Sequence, residues 1–230
     1  MCALPLVLPH RPAAQDYGRA RHSAQRPFGR ITPSAIVIGA STGGPQALAV
    51  LLQGMAPILP HVPVFVVLHI PPEFTSVIAG HIQKLTDVPA HAARQGEQVA
   101  KGHIYFSPGN LHLGVARTGE SAVIVLSDKA PENFCRPAVD FLFRSAAHTF
   151  GPQALGIILT GMGSDGLIGS RAIIEAGGKV LVQDEASSIV WGMPGSVANE
   201  GLATAILPIE AIAGAACSLV QGHGDRSAQS

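Results

Sequence analysis

Charge is scarce in this sequence, and its two signs cancel. Charged residues make up 13% of the 230, and 15 Lys and Arg stand against 15 Asp and Glu. That balance removes the electrostatic case for a nucleic-acid or anionic-membrane partner. Cysteine is equally sparse: Cys2, Cys135 and Cys217 are far apart and odd in number, with no CxxC pair, so neither a disulfide framework nor a zinc finger is expected. The ten histidines show no H-E-x-x-H or other ligand spacing, and no metal or cofactor is expected. No G-x-x-x-x-G-K-[ST] occurs, which excludes a P-loop, and Ser41 replaces the middle glycine of a G-x-G-x-x-G dinucleotide motif. No apolar run reaches the roughly 20 residues that span a bilayer. Met1 to His10 is apolar but lacks a basic start and is broken by Pro5 and Pro9, unlike a signal peptide. These absences together predict a soluble cytoplasmic chain.

What is present is apolar residue, 47% of the total, enough to build one sizeable core without disulfides. Residues 1–34 hold Arg11, Arg19, Arg21, Arg26 and Arg30 against the single acid Asp16 and show no lasting periodicity, so they read as a flexible basic tail. Residues 221–230 read as a frayed end. Between them, 35–220 alternates apolar β-branched runs with helical stretches. Strands are predicted at 35–38, 62–68, 155–159, 180–182 and 203–207. Helices are predicted at 46–53, 76–85, 138–148, 167–176 and 209–219. Two alternating runs, 112–116 and 122–126, flank Arg117-Thr118-Gly119-Glu120 and read as a hairpin, either inserted or at the sheet edge. Near-continuous apolar strands interleaved with helices predict an α/β fold, a doubly wound, mainly parallel sheet with helices on both faces and an antiparallel hairpin.

In such sheets, sites form beyond the carboxyl ends of the strands. Three strand ends carry reactive side chains. Gly39-Ala40-Ser41-Thr42-Gly43-Gly44 places a serine at a strand-to-helix turn and satisfies G-x-S-x-G, although the turn alone is better explained by a helix-capping serine. His69 ends the second strand, ahead of Pro71-Pro72, within reach of a neighbouring strand end. Asp165 lies in the glycine-rich turn Gly161-Met162-Gly163-Ser164-Asp165-Gly166, where its plain role is an N-cap. Taken together they suggest a triad: Ser41 as nucleophile, His69 as base, and Asp165 on Nδ1 of the imidazole to hold its tautomer. Cys135 has no paired base in the sequence and reads as a small semi-buried residue. Asp140 and Arg144, four apart, read as a helix-face ion pair. Trp191 fits either a cleft lining or the core.

The ordered motifs Ile38-Gly39-Ala40-Ser41-Thr42-Gly43-Gly44-Pro45, His69-Ile70-Pro71, Tyr105-Phe106-Ser107-Pro108-Gly109, Arg136-Pro137-Ala138-Val139-Asp140, Leu159 to Gly166 and Gln183 to Ser187 resemble the catalytic domain of CheB-type chemotaxis protein-glutamate methylesterases over about residues 35–215. The resemblance implies a Ser41-His69-Asp165 triad, an oxyanion donor in the Met162 amide, and a substrate-site threonine in Thr42. It implies hydrolysis of glutamyl methyl esters on chemoreceptor cytoplasmic helices, and deamidation of receptor glutamine by the same attack. The family usually has a receiver domain ahead of this one, and 34 residues are too few for it, so the expectation is a free-standing or excised catalytic domain, or one that a separate protein regulates. Cys135 stands where the family commonly has His, and His81 where Arg is frequent. The competing expectation is a non-catalytic receptor-binding signalling module of the same fold.

Overall fold

The computed structural model describes residues 32–222. Most of the expected basic tail (1–34) and of the expected frayed end (221–230) therefore lies outside the described residues.

Nine strands and six α-helices make up the described chain. They run β1 (Ala35–Ala40), α1 (Gly44–Gly54), β2 (Val64–Leu68), α2 (Thr75–Thr86), β3 (Ala90–Ala92), β4 (Ile104–Phe106), β5 (His112–Thr118), β6 (Ser121–Ser127), α3 (Val139–Phe150), β7 (Ala154–Ile158), α4 (Leu167–Glu175), β8 (Lys179–Gln183), α5 (Gly192–Asn199), β9 (Ala205–Leu207) and α6 (Ile209–Val220). Seven strands form one sheet in the order β3-β4-β2-β1-β7-β8-β9, with every pair parallel. β5 and β6 pair with each other, antiparallel, as a separate ribbon. The hairpin is therefore an insertion and not an edge of the main sheet. It lies on α3, where the Ser145 hydroxyl accepts the Val115 amide and the Thr149 hydroxyl donates to the Val115 carbonyl.

Side-chain alternation shows why the central strands are apolar throughout. In β1, Ile36, Ile38 and Ala40 join one core with α1, α2 and α6. Ala35 and Val37 join a second core with α3, α4, α5 and the ribbon. β2 divides the same way, Val64, Val66 and Leu68 against Phe65 and Val67. A strand buried on both faces has no polar position to spare.

Three elements escape the periodicity reading. β3 and β4 have three residues each, too few to show a period, and α5 contains Gly192, Pro194 and Gly195, which are poor helix formers. They form because the sheet and the second core hold them: Met193 and Val197 of α5 are fully buried. Among the described residues no helix is long and apolar enough to cross a membrane.

β1 is the turning point of the topology. From it the chain first winds toward β2, β4 and β3, then returns to β7, β8 and β9 on the other side. The crevice beyond the carboxyl ends of β1 and its two neighbours is where such folds place a site.

Candidate active site

Ser41, His69 and the 160–166 turn follow directly from β1, β2 and β7, three adjacent strands. The register Ala40↔Leu68 continues into a bond from the His69 amide to the Ala40 carbonyl, 3.1 Å. On the other side the Ser41 amide donates to the Thr160 carbonyl, 3.0 Å. The serine is thus held between the ends of both neighbouring strands. Gly161 stands close beside it: a Cβ at 161 would lie 2.8 Å from Ser41 Cβ, so a larger residue would displace the serine.

The capping explanation of Ser41 does not hold. The N-cap of α1 is Gly43, in the left-handed conformation (φ 79°), and α1 has no side-chain cap. Only glycine takes that φ without cost. Among the described residues no group hydrogen-bonds the Ser41 hydroxyl, to which His69 also makes no bond.

Asp165 departs from its plain reading as well. The N-cap of its own helix, α4, is Gly166, again without a side-chain bond. The Asp165 carboxylate reaches instead to the start of α3. It accepts the amides of Val139 (2.7 Å) and Asp140 (2.9 Å), and it accepts His69 Nε2 at 2.9 Å. Asp140 returns the arrangement: its Oδ1 accepts the amides of Gly166 (3.0 Å) and Gly169 (2.7 Å) at the start of α4, and its Oδ2 accepts Asn133 Nδ2 (2.8 Å). Each helix lends an aspartate to cap the other. Gly169 makes the close approach possible, because a Cβ there would lie 3.1 Å from Asp140 Cα. The expected Asp140–Arg144 ion pair is absent among the described residues. Arg144 forms a forked pair with Glu132 at 2.7 and 2.8 Å, because Asp140 is turned into the interior by the amides of α4.

These contacts set the two carboxyls apart electrostatically. Burial pushes Asp165 up, but the hydrogen bond from His69 and the amides of Asp140 and Val139 outweigh it and hold the carboxyl below its ordinary value. For Asp140 burial dominates over the Gly169 amide, with the nearby Asp165 charge adding to it, and the carboxyl is raised.

The expected contact of Asp165 with Nδ1 is corrected: the carboxylate meets Nε2. His69 sits at the tip of β2 and turns Nε2 onto the carboxylate that caps α3, which leaves Nδ1 on the opposite side of the ring. Cys135 is corrected too. Its Sγ lies 3.9 Å from His69 Nδ1, so an imidazole does adjoin it, and burial followed by the Asp165 charge pushes the thiol up. One ligand atom from each of His69, Cys135 and Asp165 fits within 4.8 Å of the others, a grouping that sequence spacing could not reveal.

Met162 and Thr42 flank the serine. The Met162 side chain is 75% exposed, and its amide has no acceptor among the described residues. Thr42 is exposed, and its carbonyl accepts the Thr160 hydroxyl at 2.9 Å. Thr160 is a residue the motif reading passed over. Nearly fully buried, it ties the serine turn to Val190, whose amide it accepts at 2.9 Å, while its own amide donates to Gln183 Oε1 at 2.8 Å. Trp191 braces the same corner, donating Nε1 to the Gln183 carbonyl at 3.1 Å. Phe74, Phe134, Met162 and Ile189, each near a site segment in sequence or space, expose apolar side chains. Ile189 lies over the serine turn at Gly43.

Residues 36–216 match the family model of the CheB methylesterase. The chain is 46% identical over 223 residues to a protein-glutamate methylesterase/protein-glutamine glutaminase of Rhodopseudomonas palustris strain BisB5, covering 96% of this chain and 57% of the relative. It is 50% identical over 194 residues to the protein of the same name from Nitrobacter hamburgensis, covering 84% and 51%. The chain spans about half the length of the curated relatives it matches. The crystal structure of the Thermotoga maritima CheB methylesterase catalytic domain superposes with a TM-score of 0.79 at 35% identity, over 83% of this chain and all of the other.

Proposed function

The chain belongs to the CheB methylesterase family, and from that we propose that it is a serine carboxylic-ester hydrolase that removes methyl esters from glutamate side chains of chemoreceptors. Residues 35–220 are the catalytic unit, and the cytoplasm is its place of work. The observation that carries this reading is the division of the His69 ring. Nε2 donates its N–H to the buried, ionised Asp165 carboxylate, which leaves Nδ1 with a free lone pair at the end of the strand that adjoins the one Ser41 follows.

Ser41 Oγ attacks the ester carbonyl and passes its proton to Nδ1. In a free site such a hydrogen bond is often unmade and closes only with substrate present. The Met162 amide receives the oxyanion, a contribution of roughly 3–4 kcal/mol for one donor of this kind. Nδ1 returns the proton to the departing methoxy group, and methanol leaves. Water, deprotonated by the same nitrogen, then attacks the acyl-serine, and Nδ1 returns that proton to Ser41 Oγ as glutamate leaves. With a glutamine side chain the same sequence expels ammonia. Thr42, exposed and next to the serine, is the substrate-site threonine. Exposed apolar side chains on the segments that carry the site suit a protein surface as substrate.

Ser41→Ala tests the assignment. Methanol release from a methylated chemoreceptor cytoplasmic fragment is expected to fall by at least ~10⁴-fold, with the circular dichroism spectrum unchanged. A fluorophosphonate probe is expected to label Ser41 in the parent protein. Methanol release that survives the substitution overturns the reading.

A further inference from the structure

We propose that His69 Nδ1 and Cys135 Sγ bind a soft divalent cation, zinc by preference, and that the ion switches the esterase off by taking the lone pair that Ser41 needs. The second half rests on the proposed role of His69 as base; the first half does not.

The two atoms are 3.9 Å apart. A tetrahedral zinc at about 2.0 Å from nitrogen and about 2.3 Å from sulfur holds its ligands roughly 3.5 Å apart, so a shift of a few tenths of an ångström closes the pair on an ion. Thiolate and imidazole are the ligands that select zinc and its soft relatives over magnesium or calcium. The third partner is already in place. A metal-bound histidine commonly donates its other ring N–H to a carboxylate, which fixes the tautomer and makes the ligating nitrogen more basic. Asp165 does this at Nε2, 2.9 Å away, and is itself anchored by two backbone amides. The carboxylate that would sharpen the base for catalysis thus also sharpens it as a ligand.

Access and chemistry agree. Cys135 is half-buried and His69 is 15% exposed, so an ion can enter from the crevice. Water fills the remaining positions, as it fills the open position of catalytic zinc sites. Binding replaces the S–H bond by an S–metal bond and releases one proton to solvent. No electron is transferred, and a chelator reverses the step. Free Ser41 cannot then pass its proton to Nδ1, because the nitrogen's only lone pair is coordinated.

The test separates binding from inhibition. Cobalt(II) is titrated into the protein as a spectroscopic stand-in for zinc. A thiolate-to-cobalt charge-transfer band is expected in the parent and is expected to vanish in both Cys135→Ser and His69→Ala. Zinc is then added to methyl-ester hydrolysis assays, each protein being compared with its own metal-free rate. The parent is expected to lose at least tenfold of its rate and to recover with EDTA, while Cys135→Ser and Cys135→Ala lose less than twofold. A missing band, or a band unchanged in Cys135→Ser, overturns the site. A band without inhibition, or equal inhibition of parent and Cys135 variants, overturns the switch. A protein that shows the band but hydrolyses no ester under any condition refutes the proposed function and leaves the binding half standing.

Discussion

At the scale of single residues, the orientation of one imidazole decides what the site can do. With Asp165 on Nε2, the tautomer carries its proton there and leaves Nδ1 bare. Asp165→Asn puts an NH2 in place of one carboxylate oxygen: at the Oδ2 position it presents N–H to Nε2 and favours the tautomer with the proton on Nδ1, and at either position it faces one of the two α3 amides. The variant is expected to lose about 10³–10⁴-fold in kcat for ester hydrolysis and to remain folded with a lower melting temperature, since one buried amide loses its acceptor. Steady-state kinetics and a thermal melt check both parts; a kcat within tenfold of the parent would show that the carboxylate does not set the tautomer. The three reactive residues were legible in the sequence because each follows an apolar run and sits among glycines or prolines. The nitrogen assignment was not legible, since nothing local to His69 says which way its ring points. Nor was the Cys135 contact, made across 66 positions of chain.

At the scale of elements, α3 and α4 lack side-chain caps of their own and exchange them through Asp165 and Asp140. The exchange locks the two helix starts together, and the turn carrying Asp165 is held as part of the lock. Asp140→Ala leaves the Gly166 and Gly169 amides buried without an acceptor, which costs about 2–5 kcal/mol. A urea titration is expected to show a lower midpoint at an unchanged slope, and esterase activity is expected to fall as the Asp165 carboxylate loses its frame. An unchanged midpoint would mean that water replaces the carboxylate without loss. The four-residue spacing of Asp140 and Arg144 suggested an ion pair because helix periodicity sees only its own helix. The amides of α4 are stronger partners for a buried carboxylate than an exposed guanidinium is. Short elements were equally hidden: β4 takes strand form because Val64 to Val66 of β2 offer it a ladder, and β3 because Ile104 to Phe106 of β4 then do the same.

For the whole molecule, stability and site are joined through the ground between the two helix starts. Asp140 is 1% exposed there, and its carboxyl is raised above the ordinary 3.8 chiefly by burial. The folded protein therefore holds this proton more tightly than the unfolded chain does. As pH falls through the raised value, the fold gains stability from Asp140 until both states are protonated, near 3.8 and below. Asp140→Asn removes that dependence. The difference in unfolding free energy, parent minus Asp140→Asn, is expected to shift in the parent's favour as pH is lowered from about 7 toward about 4. Urea midpoints measured across that range check it; a difference that stays flat, or moves the other way, would show that the carboxyl is not raised.

Composition and pattern were enough to determine the layered architecture, the central parallel strands and the three strand ends that carry Ser41, His69 and Asp165. Burial and turn geometry are local demands, and each leaves its mark within a few residues of chain. Only the tertiary structure decided which imidazole nitrogen is bare, which helix Asp165 caps, that Asp140 answers it, and that Cys135 stands beside the same nitrogen. Those contacts join positions 25 to 96 residues apart. Their geometry follows from strand register and the placement of helices across the sheet, quantities that emerge when the two cores pack and that no short segment encodes.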